Sequence, residues 1–504
     1  MTTITPDFQT YFPLMNQITR GLALCGLVLC GPVLAVGCAL NPVTGRREIA
    51  LVSEAQEIAM GREGAASVAA SIGLLPDDGV QTWVSGMGLA LAAKTERPQL
   101  PWAFKVVDDP AVNAFALPGG FIFVTRGLLT QLTNEAELAS VLGHEIGHVT
   151  ARHSVQQLSR QQLAMLGVGI GSAISPTIEK YGQVAGAGLG LLFLKYGRDD
   201  ESQSDKLGFG YALGNGWDTR EMANVFRMFQ LSSEIRGGGR LPEWQSSHPD
   251  PGNRIAVVER MVGATAQGFA NTRVGGPEFM RRLDGMVYGE NPRLGFFQGA
   301  LFVHPDLAFT LRFPDAWKTR NANDAVSAVS AAQDAMIELR AAQGTAVQAA
   351  QAFFAQEGLT AGAQSRMSVH GNPAVRGEFT AKAEQGADVR GAVMFVEFGG
   401  ATWRITAYTP TDKFATYAPM FDRTFASFAR LTDTAALNVQ AWRIKLTPAP
   451  RAMTLQQFNA QLPSAVPIAE LAMINGVDAQ ATIASGRSVK RVLGAPLPRG
   501  VVAP

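Results

Sequence analysis

Apolar residues recur at helical spacing through ELASVLGHEIGHVTARHS, Glu137 to Ser154: Leu138, Val141, Leu142, Ile146 and Val149 fall along one stripe with no proline to interrupt it. This pattern predicts a helix packed in a core. A second helical stripe runs through KYGRDDESQSDKLGFGYAL, where Gly208, Phe209 and Ala212 continue the face that carries Glu201 and Asp205. After about residue 275 the spacing changes. LAFTLRFPDAWKTRN, RGAVMFVEFGGATWRITAYTP and FDRTFASFARL read as strands, with a hairpin turn at EFGG and a helix through AAQAFFAQEG. The predicted class is α+β: a mainly helical domain with a small edge sheet over 39–275, a small α+β domain over 276–432, and a third module over 433–504.

The first helix also carries chemistry. His144 and His148, four apart, stack on one helical face, where two imidazoles can share one tetrahedral zinc. Glu145 sits near the open coordination position and can take a proton from a water there. A three-residue pattern of this kind falls by chance in roughly one chain in sixteen of this length, so more is needed. A catalytic zinc requires a third protein ligand, and Ala151 and Ser154 stand where a metzincin would place its glycine and its histidine. Acidic groups on the core side of a helix are costly unless paired or metal-bound, which makes Glu201 the candidate third ligand. Asp205, four residues on, is the candidate acceptor that orients a ligand histidine through its other ring nitrogen. Asp199 and Asp200 read as a solvated helix start, and the same reading is open for Glu201.

Several further stretches occur in order with these: NPVTGRREIALVSEAQEIAMGRE, VNAFALPGGFIFVTRGLL, DDESQSDKLG and SSHPDPGNR. Together with ELASVLGHEIGHV they make residues 41 to about 260 resemble the gluzincin zinc metallopeptidases of the CAAX-protease, HtpX and Oma-like group, most closely the periplasmic BepA-type branch. The resemblance implies a zincin-type peptidase domain holding one zinc ion per chain through His144, His148 and Glu201, with Glu145 as general base. It also implies that Asn113, Ala114 and Phe115 lie on the strand lining the substrate cleft. NAFAL alternates before a PGG turn, and an edge strand there can pair with an extended peptide; an ordinary sheet edge is the other reading. The family carries a histidine-proline pair followed by arginine, matched by His248 and Arg254. His248 is read first as a group aimed at the carbonyl oxygen where charge develops, and second as a fourth zinc ligand that holds the enzyme latent. His304 and His370 read as structural or surface residues.

Three other segments bear on location and partners. The apolar run RGLALCGLVLCGPVLAVGC ends at Cys38 and resembles a lipoprotein signal peptide over 1–38, with an uncleaved anchor through Gly21 to Leu40 as the alternative. Translation from Met15 would give a signal of more usual length. Cys25, Cys30 and Cys38 are the three cysteines, so a processed chain keeps only Cys38, acylated, and has no disulfide. Ala39 rather than aspartate follows it, which by resemblance to proteobacterial lipoproteins favours the outer membrane. The glycine- and alanine-rich segment LAMLGVGIGSAISPTIEKYGQVAGAGLGLLFLKYG reads as a packed helical hairpin, or as a mobile apolar flap beside the cleft. The last module resembles a degenerate LysM unit with Pro450 to Ala452 where the opening glycine-aspartate signature would stand, which makes peptidoglycan a candidate partner. No tetratricopeptide repeat is visible. With 47% hydrophobic residues the chain can fill several cores, and a net charge of +1 argues against nucleic acid. The expected function is a zinc endopeptidase of the bacterial envelope that degrades or processes misfolded or unassembled proteins. The competing reading is a largely latent chaperone, assembly factor or peptidoglycan-associated binding protein.

Overall fold

The computed structural model describes residues 38–167, 196–235, 248, 251–265, 268–382 and 388–501. The signal-peptide run before Cys38 and nearly all of the glycine- and alanine-rich segment lie outside these residues. Among the described residues no helix is long and apolar enough to cross a membrane.

A ribbon of β1 (Cys38–Leu40) and β2 (Arg47–Ile49) leads into α1 (Glu54–Ser71), which starts at a Ser53–Gln56 capping box, and α2 (Asp78–Ala92). A three-stranded sheet follows, made of β3 (Ala103–Val107), β4 (Ala114–Leu117) and β5 (Phe121–Thr125). Its order is β3-β5-β4, with β3 parallel and β4 antiparallel to β5. The NAFAL segment is therefore an edge strand. Its turn needs glycine, because Gly119 has φ 76° and a Cβ there would meet the Ile58 Cα at 2.6 Å.

The helices α3 (Arg126–Gln131), α4 (Glu135–Thr150), α5 (His153–Gly167), α6 (Arg198–Gly214), α7 (Met222–Ile235), α8 (Pro251–Gly263) and α9 (Gly276–Leu283) complete this half. The histidine-bearing α4 is capped by Asn134 and buried at every position from Ala136 to Thr150. Its apolar stripe understates its environment, since α2, α6, α7, α9 and the small sheet enclose it on all sides. α4 and α6 cross on glycine. A Cβ on Gly208 would lie 2.6 Å from the His144 amide nitrogen, and one on Gly143 would lie 2.8 Å from the Gly208 carbonyl oxygen. Only hydrogen at both positions lets the Glu201 helix approach the histidine helix so closely.

The middle of the chain is a β-rich body. β6 (Phe296–Gln298), β7 (Leu301–His304), β8 (Phe309–Arg312) and β16 (Ala429–Arg430) form a four-stranded sheet. β9 (Lys318–Asn321), β10 (Val326–Val329), β11 (Met336–Ala342), β12 (Leu359–Val369), β13 (Asn372–Ala381), β14 (Val389–Phe398) and β15 (Ala401–Pro410) form a seven-stranded antiparallel one, ordered β12-β13-β14-β15-β11-β10-β9. The EFGG turn joins β14 to β15, with φ 64° at Gly399 and 82° at Gly400. α10 (Ala346–Phe354) and α11 (Phe414–Ala426) pack on this sheet. The strand predicted at FDRTFASFARL is corrected here. Most of it is the end of α11, where Phe414, Phe421 and Phe425 recur at helical spacing, and only Ala429–Arg430 is strand. Its phenylalanines favour a strand by residue type, while their spacing at 421, 425 and 428 is helical.

After α12 (Thr434–Leu437), the last segment forms β17 (Arg443–Pro448), β18 (Met453–Thr454), α13 (Leu455–Gln461), α14 (Ile468–Ile474), β19 (Thr482–Ile483) and β20 (Ser488–Leu493), with β17 antiparallel to β20. Its inner residues Ile444, Leu455, Phe458, Leu471 and Val492 join the same apolar cluster as Leu138, Leu142 and Ile146 of α4. Phe279, Leu283, Met286 and Tyr288 join it too. The segment 285–288 is hydrogen-bonded to 442–444, for example Gly285 N to Ile444 O at 2.8 Å and Tyr288 N to Trp442 O at 2.7 Å. The C-terminal module is thus a layer of the helical half, reached after the chain has built the sheets between.

Candidate metal centre

His144 and His148 project from successive turns of α4, and their Nε2 atoms lie 3.0 Å apart. Glu201, in the first turn of α6, reaches between them: Oε2 is 3.5 Å from His144 Nε2 and Oε1 is 3.4 Å from His148 Nε2. His248, between α7 and α8 in the chain, has Nδ1 2.8 Å from Glu201 Oε1 and 3.3 Å from His144 Nε2. One donor atom from each of these four residues lies within 4.8 Å of the other three. Two or three imidazoles and a carboxylate are a donor set suited to zinc, and three nitrogens converging on one point suit a cation better than one another. The second oxygen of Glu201, Oε2, accepts no hydrogen bond, although Arg254 Nη1 lies 2.9 Å from it as an ion pair.

The remaining site residues surround this group. Asp205, one turn after Glu201, accepts from His144 Nδ1 across 2.9 Å and from Arg254 Nε and Nη2 at 2.8 and 2.5 Å. Its carboxylate therefore orients one ligand histidine and is itself held by a guanidinium, whose other face stacks on Phe226 at 4.3 Å. Arg254 is placed against the carboxylates, behind the ligands. Glu145 is fully enclosed at 0% exposure, and neither of its oxygens has a hydrogen-bond partner among the described residues. Its neighbour is His248, whose Nε2 is 3.7 Å away. Asn113 precedes β4, and Ala114 and Phe115 lie on it, against α4; the Asn113 Oδ1 is also buried without a partner. Cys38 begins β1. Asp199 and Asp200 lie in the first turn of α6, and Asp200 caps that turn through the Gly197 amide.

Burial and charge tune these groups in opposite directions. Burial pushes the Glu145 carboxyl above its ordinary value, against the pull of His248 and His144. Burial also acts upward on Glu201, but His248, His148 and His144 together hold its carboxyl well below the usual range. Asp205 likewise stays low, because Arg254 and His144 outweigh its burial. Burial pushes the His148 imidazole well below its ordinary value, so it is neutral and has a lone pair to give. The site thus holds ionised Glu201 and Asp205, a neutral His148, and one carboxyl whose proton affinity is raised.

Two neighbours went unread in the sequence. Tyr196 stacks its ring on His148 with centroids 3.8 Å apart, and its hydroxyl is 2.9 Å from Ser154 Oγ. His153 brings its Nδ1 to 3.0 Å from His148 Nδ1. The RHS that follows the motif was the available signal. Arg152 takes a left-handed φ of 59°, which ends α4 and lets His153 turn back toward the ligand. His304 ends β7 and His370 lies in the β12–β13 turn with its Nε2 on the Ala426 carbonyl, both apart from the site.

Comparison with known proteins agrees with this chemistry. The family model described as Peptidase family M48 matches residues 79–262. A Beta-barrel assembly-enhancing protease of Yersinia pestis is 32% identical over 251 residues, covering 46% of this chain and 51% of that protein. The Metalloendopeptidase OMA1, mitochondrial, of Bos taurus is 33% identical over 185 residues, covering 32% of this chain and 33% of the relative. The chain therefore spans about half or less of the length of these relatives. All four converging residues, from His144 to His248, fall inside the matched region, and residues 79–262 are a domain of Peptidase family M48.

Proposed function

We propose that the chain is a zinc-dependent endopeptidase of the bacterial cell envelope that cleaves misfolded or unassembled polypeptides. The observation that carries this reading is a buried His144–His148–Glu201 donor set beside a buried carboxylate, Glu145, that nothing else in the site occupies. Zinc bound there supplies Lewis acidity, polarising a peptide carbonyl and making a water easier to deprotonate. His144, His148 and Glu201 hold it. Glu145 takes the proton of the attacking water and passes it to the departing amine, a task that suits a carboxyl whose pKa burial has raised. Asp205 and Arg254 keep His144 and Glu201 in place. The open edge of β4 gives an extended substrate a strand to pair with, and Asn113 Oδ1 offers an acceptor beside it.

His248 supports a second reading of the same site. Its Nδ1 stands among the donors, so it suits the fourth ligand position better than a place aimed at a carbonyl oxygen. In that arrangement the peptidase is latent while His248 holds the metal, which suits a chaperone or assembly factor with gated proteolysis. The envelope setting draws on the apolar run before Cys38 and on the name of the Yersinia relative, a Beta-barrel assembly-enhancing protease. A lipid on Cys38, anchoring the chain to the outer membrane, and contact of the last module with peptidoglycan belong to the same proposal.

Metal analysis with casein digestion tests it. The purified chain should carry one zinc and digest casein, while Glu201→Ala should lose both metal and activity. Full zinc in Glu201→Ala would remove Glu201 from the ligand set. His248→Ala should raise basal cleavage if His248 is a latch, and lower it roughly a hundredfold if it stabilises the transition state.

A further inference from the structure

The two ligand histidines are supported in different ways. His144 gives its Nδ1 to a carboxylate, Asp205, that is ionised and paired with Arg254. His148 has no carboxylate on its Nδ1. That atom lies 3.0 Å from Nδ1 of His153, and His153 Nε2 lies 3.0 Å from Oε1 of Gln203. His148 and His153 are 1% and 2% exposed, so water does not complete this chain of contacts.

Proton counting selects one arrangement. Two ring nitrogens at 3.0 Å share a single proton, because two lone pairs repel and two N–H groups clash. A histidine that binds metal through Nε2 keeps its lone pair there and carries its proton on Nδ1. His148 Nδ1–H therefore donates to His153 Nδ1. The proton of His153 is then on Nε2, where it donates to the carbonyl oxygen of Gln203. The opposite order would aim an N–H of His148 at the metal and set a bare His153 Nε2 against the bare Gln203 oxygen. Only the first order satisfies every contact. Ser204 Oγ, 3.4 Å from His153 Nδ1, and Tyr196, stacked on His148, close the remaining sides.

We infer that His153 is a positioning residue of the metal centre: as a neutral acceptor it holds His148 in the Nδ1–H tautomer with its Nε2 lone pair toward the metal. This rests on the reading of His148 as a metal ligand. Neither His153 nor Gln203 is one of the four converging donors, so both act through His148. Asp200 Oδ1 lies 3.8 Å from His153 Nε2, so the acid on this side stands one ring further from its histidine than Asp205 does from His144.

The test is zinc affinity, measured by chelator competition on the full chain for wild type, His153→Leu and His153→Asn. Asparagine places Oδ1 where Nδ1 stood and keeps an acceptor; leucine fills similar space without one. Zinc binding should weaken about 10- to 100-fold in His153→Leu and recover most of that loss in His153→Asn. Wild-type affinity in the leucine variant, or equal loss in both, overturns the inference. A second measurement needs no variant: long-range proton–nitrogen NMR of the histidine-labelled zinc protein should show His153 protonated on Nε2, and a His153 protonated on Nδ1 overturns it. Failure of the wild-type chain to take up zinc would instead strike the metal-site reading on which this rests.

Discussion

Two buried groups of charges meet the same helix, and they are built differently. At the C-terminal end of α4, Glu57, Arg97 and Arg152 lie together, with Glu57 and Arg97 each 1% exposed. Glu57 Oε1 accepts from Arg97 Nη1 at 2.9 Å and from the Gly119 amide at 3.2 Å; its Oε2 accepts from Arg97 Nη2 and Arg152 Nε, each at 3.1 Å. Arg97 also donates to the Val149 carbonyl at the end of α4. The group ties α1, the β4–β5 turn and α4 into one frame. One to two turns earlier on the same helix, Glu145 is as deeply buried and accepts nothing. Both groups hold ionisable side chains away from water, so burial alone does not distinguish a working site from a brace. What distinguishes them is the carboxylate: both Glu57 oxygens are hydrogen-bonded, whereas neither Glu145 oxygen has a partner among the described residues.

The sharpest break between the two is at the two glutamates. Glu145→Gln should lower turnover by about 10²- to 10⁴-fold, keep zinc at wild-type stoichiometry, and leave the urea midpoint of the metal-free protein unchanged or higher. Glu57→Leu should do the reverse. It leaves the buried Arg97 guanidinium with only the half-exposed Glu54 as a carboxylate partner, and about 3 kcal/mol of stability should go, read by urea unfolding, while the folded fraction still binds zinc. If Glu145→Gln destabilises as Glu57→Leu does, Glu145 is a brace and the distinction fails.

A third buried charge sharpens the comparison from the other end of α4. Lys490, on β20, is 0% exposed and donates to the Thr130 and Leu132 carbonyls at 2.9 and 2.6 Å, closing the C-terminus of α3. Glu137, in the first turn of α4, receives the Thr133 amide and hydroxyl. Lys490→Met strips both carbonyls of their donor and should cost about 1–3 kcal/mol, seen in urea and as easier proteolytic loss of the last module. Acidity adds a check. Burial pushes Lys490 down from 10.5 to about 7, so between pH 7 and 10.5 the unfolded chain binds the extra proton and stability rises with pH. Burial pushes Glu137 up from 4.5 to about 7, so between pH 4.5 and 7 the folded chain binds the extra proton and stability falls with rising pH. The methionine variant should lose the rise above pH 7.

How much of this was legible in the sequence follows from what each feature depends on. The helix of the candidate metal centre and its partner were legible because the candidate ligands sit at fixed helical spacing, four apart in His144 and His148, and because Glu201 shares a stripe with Phe209 and Ala212. The peptidase class was legible through several ordered motifs. His153 was not, since its approach to His148 depends on the left-handed turn at Arg152, a backbone choice that no periodicity encodes. The contact of β20 with α3 and α4 was hidden for another reason. A pattern such as Val489, Lys490 and Val492 tells which face is buried but not which distant element, some 360 residues earlier, covers it. The same limit applies to α9, whose Phe279 and Leu283 pack with the helices although the chain from 276 on was grouped with the sheets.

The smallest effect is expected where charges are paired but wet. On the β-rich body, Arg376 places Nε and Nη2 at 3.0 and 2.9 Å from Asp422 Oδ1, distances as short as those of Arg97 with Glu57, though both fall on one oxygen. The difference is solvent: the Asp422 side chain is 55% exposed and that of Arg376 25%. Water screens the attraction and solvates whichever partner is left, so Arg376→Ala should cost no more than about 1 kcal/mol. The loss should shrink further at 1 M salt, where the screening length is about 3 Å. Urea unfolding at low and high salt measures both. A loss equal to that of Glu57→Leu, and insensitive to salt, would mean that pair geometry rather than desolvation sets the strength of these clusters. The contrast drawn at α4 would then have to be rebuilt on distance, since burial would no longer separate a brace from a surface pair.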